Sequence, residues 1–282
     1  MVMRLFQGGT IVMSISLKKL KDQVIVITGA SSKVGIATAK MAAAKGAKVL
    51  LTSKNEDALL QLATELRAKG YPATWVPADI GREEDVHKIA EAAIRTFGRF
   101  DTWVNSSDVS LLGESTEATQ DDIKRMFNMN YRGIIYSSQI AIKHFKERGV
   151  PGALINMSAV WSDRGTVIPV PSSASNFSVK EWTDNLRADI AKDKLPVSIT
   201  LLHPGKAVTP YNETMKKHKV MVYPAGSVAE NIIYAAQHPK EDIHVYVKES
   251  KHPILSSLAV AGLGVIVYAS IKQKDQTPTP KN

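Results

Sequence analysis

The amino-acid sequence predicts an α/β fold: a doubly wound, seven-stranded parallel sheet with helices on both faces, in three αβα layers. From residue 24 to residue 248, short runs rich in Val, Ile and Leu alternate with longer stretches of helical periodicity. Continuous apolar runs of this length are typical of strands that are covered on both faces. No linker rich in Pro, Gly or Ser interrupts the alternation. We therefore expect right-handed βαβ crossovers within one domain.

Seven predicted strands follow one another along the chain. Their ranges are 24–28, 48–53, 73–80, 101–105, 153–158, 197–203 and 243–248. Apolar residues at helical spacing predict a helix after the second strand, which begins at Asn55 and ends at Gly70. The same spacing predicts a helix after the third strand, which ends at Gly98. Longer helices are predicted around 120–148 and 172–193.

The composition is that of an ordinary globular protein, with 282 residues of which 44% are hydrophobic and 22% charged. This excludes collagen-like, low-complexity and wholly disordered chains. The sequence contains no cysteine, which excludes thiol catalysis, disulfide frameworks and cysteine-built metal sites, and we predict no metal site. A chain without cysteine suits a reducing compartment, so we expect it in the cytoplasm.

The formal net charge of +9 is unevenly distributed. Residues 1–51 carry eight basic residues against Asp22 alone, and smaller basic excesses lie in 206–219 and 248–282. Surfaces that bind single-stranded nucleic acid interleave basic and aromatic residues, and these segments contain no such stripe. We therefore expect no nucleic-acid partner.

A glycine-containing turn joins the first predicted strand to the first helix, with the sequence Thr28-Gly29-Ala30-Ser31-Ser32-Lys33-Val34-Gly35. Such a turn points backbone N–H groups and the helix dipole at an anion, usually a dinucleotide pyrophosphate. The alternative is a tight turn that uses glycine for its backbone conformation alone. Lys54, just after the second strand, either pairs with a 2′-phosphate, which would favour NADP over NAD, or is a solvated lysine at a helix start.

The chain resembles the short-chain dehydrogenase/reductases. The turn matches the family's TGxxxGxG motif at its start and at its last glycine, and five later motifs have the family's order: Asp79-Ile80, Asn105, Asn130, Asn156-Met157-Ser158 and Pro204-Gly205-x-x-x-Thr209-Pro210. The resemblance implies a Rossmann-like fold and NAD(P)-dependent chemistry on alcohol or carbonyl groups. Together with Lys54 and with Lys33 of the turn, the cofactor-binding positions that we predict are Gly29, Ser31, Ser32, Gly35, Asp79, Ile80, Asn105, Pro204, Gly205 and Thr209.

The catalytic positions depart from the family's pattern. The resemblance implies Asn, Ser, Tyr and Lys, of which the Tyr is the acid/base and the Lys lowers its pKa. Asn130 is retained, but Ala159 stands at the Ser position, Ser172 at the Tyr position and Asn176 at the Lys position. Losing acid–base help costs about 10²–10⁴ in rate. We therefore predict a non-catalytic binding or partner subunit. The alternatives are an NADP-dependent carbonyl or alcohol oxidoreductase with a non-standard acid/base, and a non-redox enzyme using the same pocket.

The cofactor side also departs from the family. Lys33 replaces the middle glycine of the turn, and Asn105-Ser106-Ser107-Asp108 replaces the family's Asn-Asn-Ala-Gly. Two alternatives therefore stay open, an NADP site or no cofactor. Ser158, Ser172 and Ser173 offer hydroxyls for other chemistry, which would need a base beside them. By residue type alone, the candidate bases are His144, His203 and His218.

The partner predictions rest on the long helices and on the end of the chain. The resemblance implies a homo-oligomer, or a hetero-oligomer with an active family member, through the helices around 120–148 and 172–193; the small-molecule ligand is not specified. We expect a flexible leader at 1–17, the domain at 18–250, and an apolar segment with a polar tail at 251–282. Residues 254–271 contain no charge, and as a helix they would span about 27 Å. They predict a membrane anchor, or alternatively a segment packed over the pocket or in an oligomer interface.

Overall fold

The computed structural model describes residues 15–106, 118–158, 170–204, 206–207 and 222–245, and these belong to one compact unit. Seven strands form the main sheet: β1 Val24–Thr28, β2 Lys48–Ser53, β3 Ala73–Pro77, β4 Thr102–Asn105, β5 Gly152–Met157, β6 Val197–His203 and β9 Asp242–His244. Two short strands, β7 Lys206–Ala207 and β8 Val222–Tyr223, pair separately. The helices are α1 Lys33–Ala44, α2 Glu56–Ala68, α3 Glu83–Phe97, α4 Gln120–Phe127, α5 Gly133–Arg148, α6 Val170–Lys192 and α7 Ala225–Ala235.

The main sheet is parallel throughout, in the order β3-β2-β1-β4-β5-β6-β9. The predicted doubly wound, Rossmann-like α/β fold is therefore confirmed. The chain first builds outward from β1 to β3 and then restarts on the other side of β1 with β4. In such a sheet, ligands bind in the crevice beyond the carboxyl ends of the strands at this switch point, which here lies between β1 and β4.

Alternating side chains of the strands fill two core layers. Ile25 and Ile27 of β1 pack with apolar residues of α1, α2 and α7 on one face. Val24 and Val26 pack with residues of α3 and α5 on the other. Every residue of β1 is buried. This double coverage explains why the strands are continuous apolar runs in the sequence.

The helix ends follow the local signals that predicted them. Asn55 caps α2, because its Oδ1 accepts a hydrogen bond from the backbone N–H of Ala58 at 3.0 Å. Gly98 ends α3 in the left-handed conformation, with φ 78°, which glycine adopts without a side-chain clash.

Three predicted elements differ from the structure. The third strand ends at Pro77 and not at residue 80, because Asp79 N–H donates to Asp85 Oδ2 and Gly81 N–H donates to Asp79 Oδ1. These local bonds turn the chain toward α3. The helix predicted around 120–148 is interrupted by a π-helical segment at Asn128–Arg132. The last strand is Asp242–His244, whereas the prediction runs from 243 to 248, of which 246–248 lie outside the described residues.

The membrane prediction concerns a segment near the end of the chain, beyond the helices that the structure describes. Of the helices in the described ranges, none has the length and apolar character needed to cross a membrane. The segment 254–271, on which the prediction rests, lies outside those ranges.

Candidate functional site

The turn after β1 brings the start of α1 against the switch-point crevice. Gly29 has φ 65°, a conformation that favours glycine. Ser32 caps α1 by accepting a hydrogen bond from Gly35 N–H at 2.9 Å. A Cβ at Gly35 would lie 2.2 Å from the carbonyl oxygen of Gly29, so only glycine lets the helix pack this closely on the turn. Both predicted glycines therefore have a structural requirement.

The exposed part of this turn fits an anionic ligand. Ser31 is half-buried, and Ser32 and Lys33 are exposed. Lys33 is the first residue of α1, whose first turn contains no acidic residue. Within the described ranges, Lys33 forms no ion pair. A helix N-terminus and an unpaired ammonium both favour a phosphate, so the residues at this turn fit the diphosphate of a dinucleotide.

Lys54 already has an acidic neighbour. Its Nζ lies 3.7 Å from Asp79 Oδ2 and 3.3 Å from Met129 Sδ, and its side chain is 51% exposed. This pair puts Lys54 beside Asp79-Ile80, the positions where the resemblance implies adenine contact. A 2′-phosphate on Lys54 would therefore compete with the carboxylate of Asp79, which repels an anion.

The side chain of Asn105 is used inside the protein and does not reach the crevice. Its Nδ2 donates to Asn156 Oδ1 at 2.8 Å, and its Oδ1 accepts from Trp103 Nε1 at 3.0 Å. Asn156 Nδ2 in turn donates to Thr183 Oγ1 on α6 at 3.1 Å. These buried bonds join β4, β5 and α6. Asn105 is fully buried, so its side chain is not available to a ligand.

The position of Ser106 differs from one expectation about the residues that would line the cofactor site. The sequence predicts that Ser106, Ser107 and Asp108 place side chains where the family has bare backbone. Ser106 is instead buried, its Oγ donates to the carbonyl oxygen of Thr28, and its N–H donates to Thr28 Oγ1. Its side chain therefore ties β4 to β1, since the short hydroxyl reaches the neighbouring strand end. Ser107 and Asp108 lie outside the described residues.

Of the four positions where the resemblance implies catalytic residues, the structure describes the side chains of Asn130 and Asn176. Asn130, on the π-helical segment, is buried and its Nδ2 lies 3.4 Å from Ser175 Oγ. Asn176 is 7% exposed. Ser158 Oγ, at the end of β5, donates to the main-chain oxygen of Asn176 at 2.8 Å and lies 3.3 Å from its Oδ1. Asn176, where the resemblance implies a lysine, is thus a buried neutral amide.

The other two catalytic positions are less fully described. Ser172 belongs to α6, one turn before Asn176, and its side chain is not described. Ala159 lies outside the described residues, as do Gly205 and Thr209. Pro204, the other residue of that motif, follows β6 directly and is half-buried.

His203 has surroundings that the sequence did not indicate. It ends β6, its Nε2 lies 3.1 Å from Asp242 Oδ1, and its ring stacks on His244 at 4.4 Å. Burial lowers the pKa of His203 even though Asp242 acts to raise it. Its Nδ1 is buried and forms no hydrogen bond with any described residue. Ser158 lies on the adjacent strand but donates to Asn176, so these two residues do not form a nucleophile–base pair.

His144, another candidate base, lies away from this site. The Nε2 of His144 accepts a hydrogen bond from Phe100 N–H at 3.2 Å, and its ring stacks on Phe100 at 3.9 Å. Phe100 precedes β4, at the edge of the sheet opposite the crevice. Burial lowers the pKa of His144. This histidine therefore has a structural role, and His218 lies outside the described residues.

Comparison with known proteins agrees with this architecture. A family model described as short chain dehydrogenase matches residues 23–220. The chain is 50% identical over 247 residues to "Uncharacterized oxidoreductase YxnA" of Bacillus subtilis (strain 168), covering 85% of this chain and 69% of that relative. It is 30% identical over 230 residues to "Uncharacterized oxidoreductase SAR2567" of Staphylococcus aureus (strain MRSA252), covering 82% of this chain and 96% of that relative.

Proposed function

Because the chain belongs to the short-chain dehydrogenase family, a family of oxidoreductases, we propose that it is a member that has lost hydride transfer and serves as a binding or partner subunit. Asn176 is the observation that carries this proposal. At the position of the family's lysine, it offers an amide that accepts from Ser158 and carries no charge. A tyrosine has a pKa near 10 and needs a neighbouring cation to act at neutral pH. Here both the cation and the tyrosine are replaced.

We propose NADP as the ligand of the crevice. Gly29, Ser32 and the N-terminus of α1 would hold the diphosphate, and Lys54, released from Asp79, would face the 2′-phosphate. A bound nicotinamide would supply a hydride acceptor or donor. The residues of this chain would bind and orient it, while the described amides and hydroxyls around Asn130 and Ser158 offer no group that titrates near neutral pH.

The relatives' names support a second candidate function. Both are called oxidoreductases, which favours an NADP-dependent carbonyl or alcohol oxidoreductase with a non-standard acid/base. Turnover separates the two proposals. A binding subunit should bind NADPH in a calorimetric titration. It should not oxidise NADPH when carbonyl substrates are added. An active enzyme turns over at about 1–10³ s⁻¹, and that result would contradict the binding role.

The decisive experiment restores the three family residues together. The variant Ala159→Ser, Ser172→Tyr, Asn176→Lys should oxidise NADPH with a carbonyl substrate at least 10²-fold faster than the unmodified chain, because acid–base help contributes about that factor or more. The matched control carries Ser172→Phe with the other two changes, which keeps the ring and removes the hydroxyl. If the control gains as much as the tyrosine variant, acid–base loss is not the cause of inactivity.

We further propose oligomerisation and membrane association. Phe177, on the face of α6 beside the site, is 58% exposed, and an exposed phenylalanine suits a contact with a second copy or an active relative. The uncharged segment 254–271 supports membrane association.

A further inference from the structure

A group of basic side chains lies at the edge of the sheet where the strands begin, opposite the cofactor crevice. It comprises Lys18, Lys19, Lys21, Lys45, Lys48, Arg99 and Arg148, here called the basic strip. Lys18–Lys21 precede β1, Lys45 and Lys48 lead into β2, and Arg99 and Arg148 precede β4 and β5. Parallel strands start at one edge, so these residues share it.

Contacts between neighbouring members make the basic strip continuous. Lys48 starts β2 in register with Val24, and a Cβ at Gly46 would lie 3.0 Å from Lys21 Cβ. Arg99 Nη2 donates to the carbonyl oxygen of Asp22 at 3.0 Å. Lys18, Arg99 and Arg148 all contact the Asp101 carboxylate, at 2.8, 3.0 and 3.2 Å. The strip therefore crosses the edge from β2 to β5.

The positive charge of the basic strip exceeds the acids within it. Seven cations meet two carboxylates, Asp22 and Asp101, and Asp101 is buried beneath three of them. Lys19, Lys21, Lys45 and Lys48 are exposed, and none pairs with an acid in the described ranges. This leaves an uncompensated cationic surface.

Helix dipoles do not account for this excess. Basic residues at the end of an α-helix stabilise its negative pole, which explains Lys45 at the end of α1. Lys19 precedes a 3₁₀ turn, Lys21 lies in that turn, and Lys48 begins a strand. None of these three lysines belongs to an α-helix, so the dipole of their own element does not explain their position.

We propose that the basic strip binds the surface of an anionic membrane. Lysines near negatively charged headgroups each add to binding, and a shared edge lets several act at once. Nucleic acid is less favoured, because single-strand surfaces add exposed aromatic rings. The ring of Phe97, which lies 6.0 Å from Lys48 Nζ, is half-buried. The same chain also contains the uncharged run 254–271, but the proposal does not require it. Binding by this edge leaves the crevice at the other edge open.

Vesicle sedimentation of the full chain tests the proposal. The probes are vesicles of phosphatidylcholine alone and of phosphatidylcholine mixed with phosphatidylserine. We expect one triple variant to bind the mixed vesicles about a hundredfold more weakly, since each lysine near the surface contributes roughly fivefold. This variant carries Lys19→Gln, Lys21→Gln and Lys48→Gln. The matched control, Lys88→Gln, Lys124→Gln, Lys143→Gln, removes the same charge from other exposed lysines and should bind like the unmodified chain.

The outcomes are separable from those of the other proposals. Binding to neutral vesicles measures membrane association through the uncharged run 254–271, and NADPH titration measures ligand binding in the crevice. Neither measurement depends on the basic strip. The additional binding to vesicles that contain phosphatidylserine should disappear at high salt, because salt screens the charges at the surface. The proposal would be overturned if both triple variants lost vesicle binding equally. It would also be overturned if phosphatidylserine did not increase the binding of the unmodified chain. The proposal would also be overturned in favour of nucleic acid by a different result. In that case the unmodified chain binds a DNA duplex but not anionic vesicles, and the Lys19, Lys21, Lys48 variant loses the DNA binding.

Discussion

At the scale of single residues, buried polar groups decide both the stability and the chemistry of this chain. Asp101 is 3% exposed and meets three cations, and its Oδ2 also accepts from Val24 N–H at 2.9 Å. Asn176 is buried in a neutral network with Ser158. The first is a buried charge that three cations stabilise, and the second is a buried group without charge.

Asp101→Asn should lower the free energy of unfolding by about 2–3 kcal/mol. Breaking a fully buried pair costs roughly 3–5 kcal/mol, and the effect is smaller here because Lys18 and Arg99 are 35% and 37% exposed. Urea unfolding measures it. Asp121→Asn is the control, since Asp121 forms an exposed pair and its loss should change nothing measurable.

The same carboxylate should make stability depend on acid pH. Burial acts to raise the pKa of Asp101, but hydrogen bonds from Lys18 and Val24 and the nearby charges outweigh it, and the pKa lies below its usual value. The unfolded chain therefore takes up the proton more readily. The stabilisation is complete above the ordinary value of about 3.9 and is lost as the pH falls through the lowered value. A pH series in which Asp101→Asn has the same slope as the unmodified chain would contradict this.

At the scale of elements, strands and helix ends are readable from sequence, but contacts between elements are not. β1, β2 and β6 have the predicted bounds, because burial on both faces makes each an apolar run. The π-helical segment at Asn128–Arg132 has no local signal. The bond from Ser158 to Asn176 depends on how α6 packs against β5. The place of His203 beside Asp242 depends on the pairing of β6 with β9. Such contacts join residues far apart in the chain, and residue types alone do not specify them.

Lys33→Gly, at the start of α1, should tighten NADPH binding by about tenfold, or roughly 1.4 kcal/mol. The family's glycine at this position lets the backbone approach the diphosphate, and the lysine adds a Cβ and a long side chain there. Calorimetry on both forms measures it. Lys33→Met keeps the bulk and removes the charge, so it should bind no better than the unmodified chain. Weaker binding in both variants would instead identify Lys33 as a phosphate ligand.

At the scale of the whole molecule, the sheet separates two surfaces of different chemistry. Its carboxyl edge holds the crevice with Lys33 and Lys54, and its amino edge holds the basic strip. Ligand binding and surface binding can therefore vary independently in this fold, because no described residue of one edge belongs to the other. A membrane-bound chain would keep its crevice accessible.

The segment 254–271 should attach the full chain to membranes. It has no charged residue, Tyr268 lies near its end, and Lys272 and Lys274 follow it, an arrangement typical of a short span that ends at the headgroups. After lysis, the full chain should sediment with membranes and be released by detergent but not by high salt, since apolar burial is not screened. A chain ending at Pro253 should stay in the supernatant at high salt, which screens the basic strip, with an unchanged circular dichroism spectrum. Full-length protein in the supernatant without detergent would contradict the anchor, and misfolding of the shortened chain would show that the segment belongs to the folded domain.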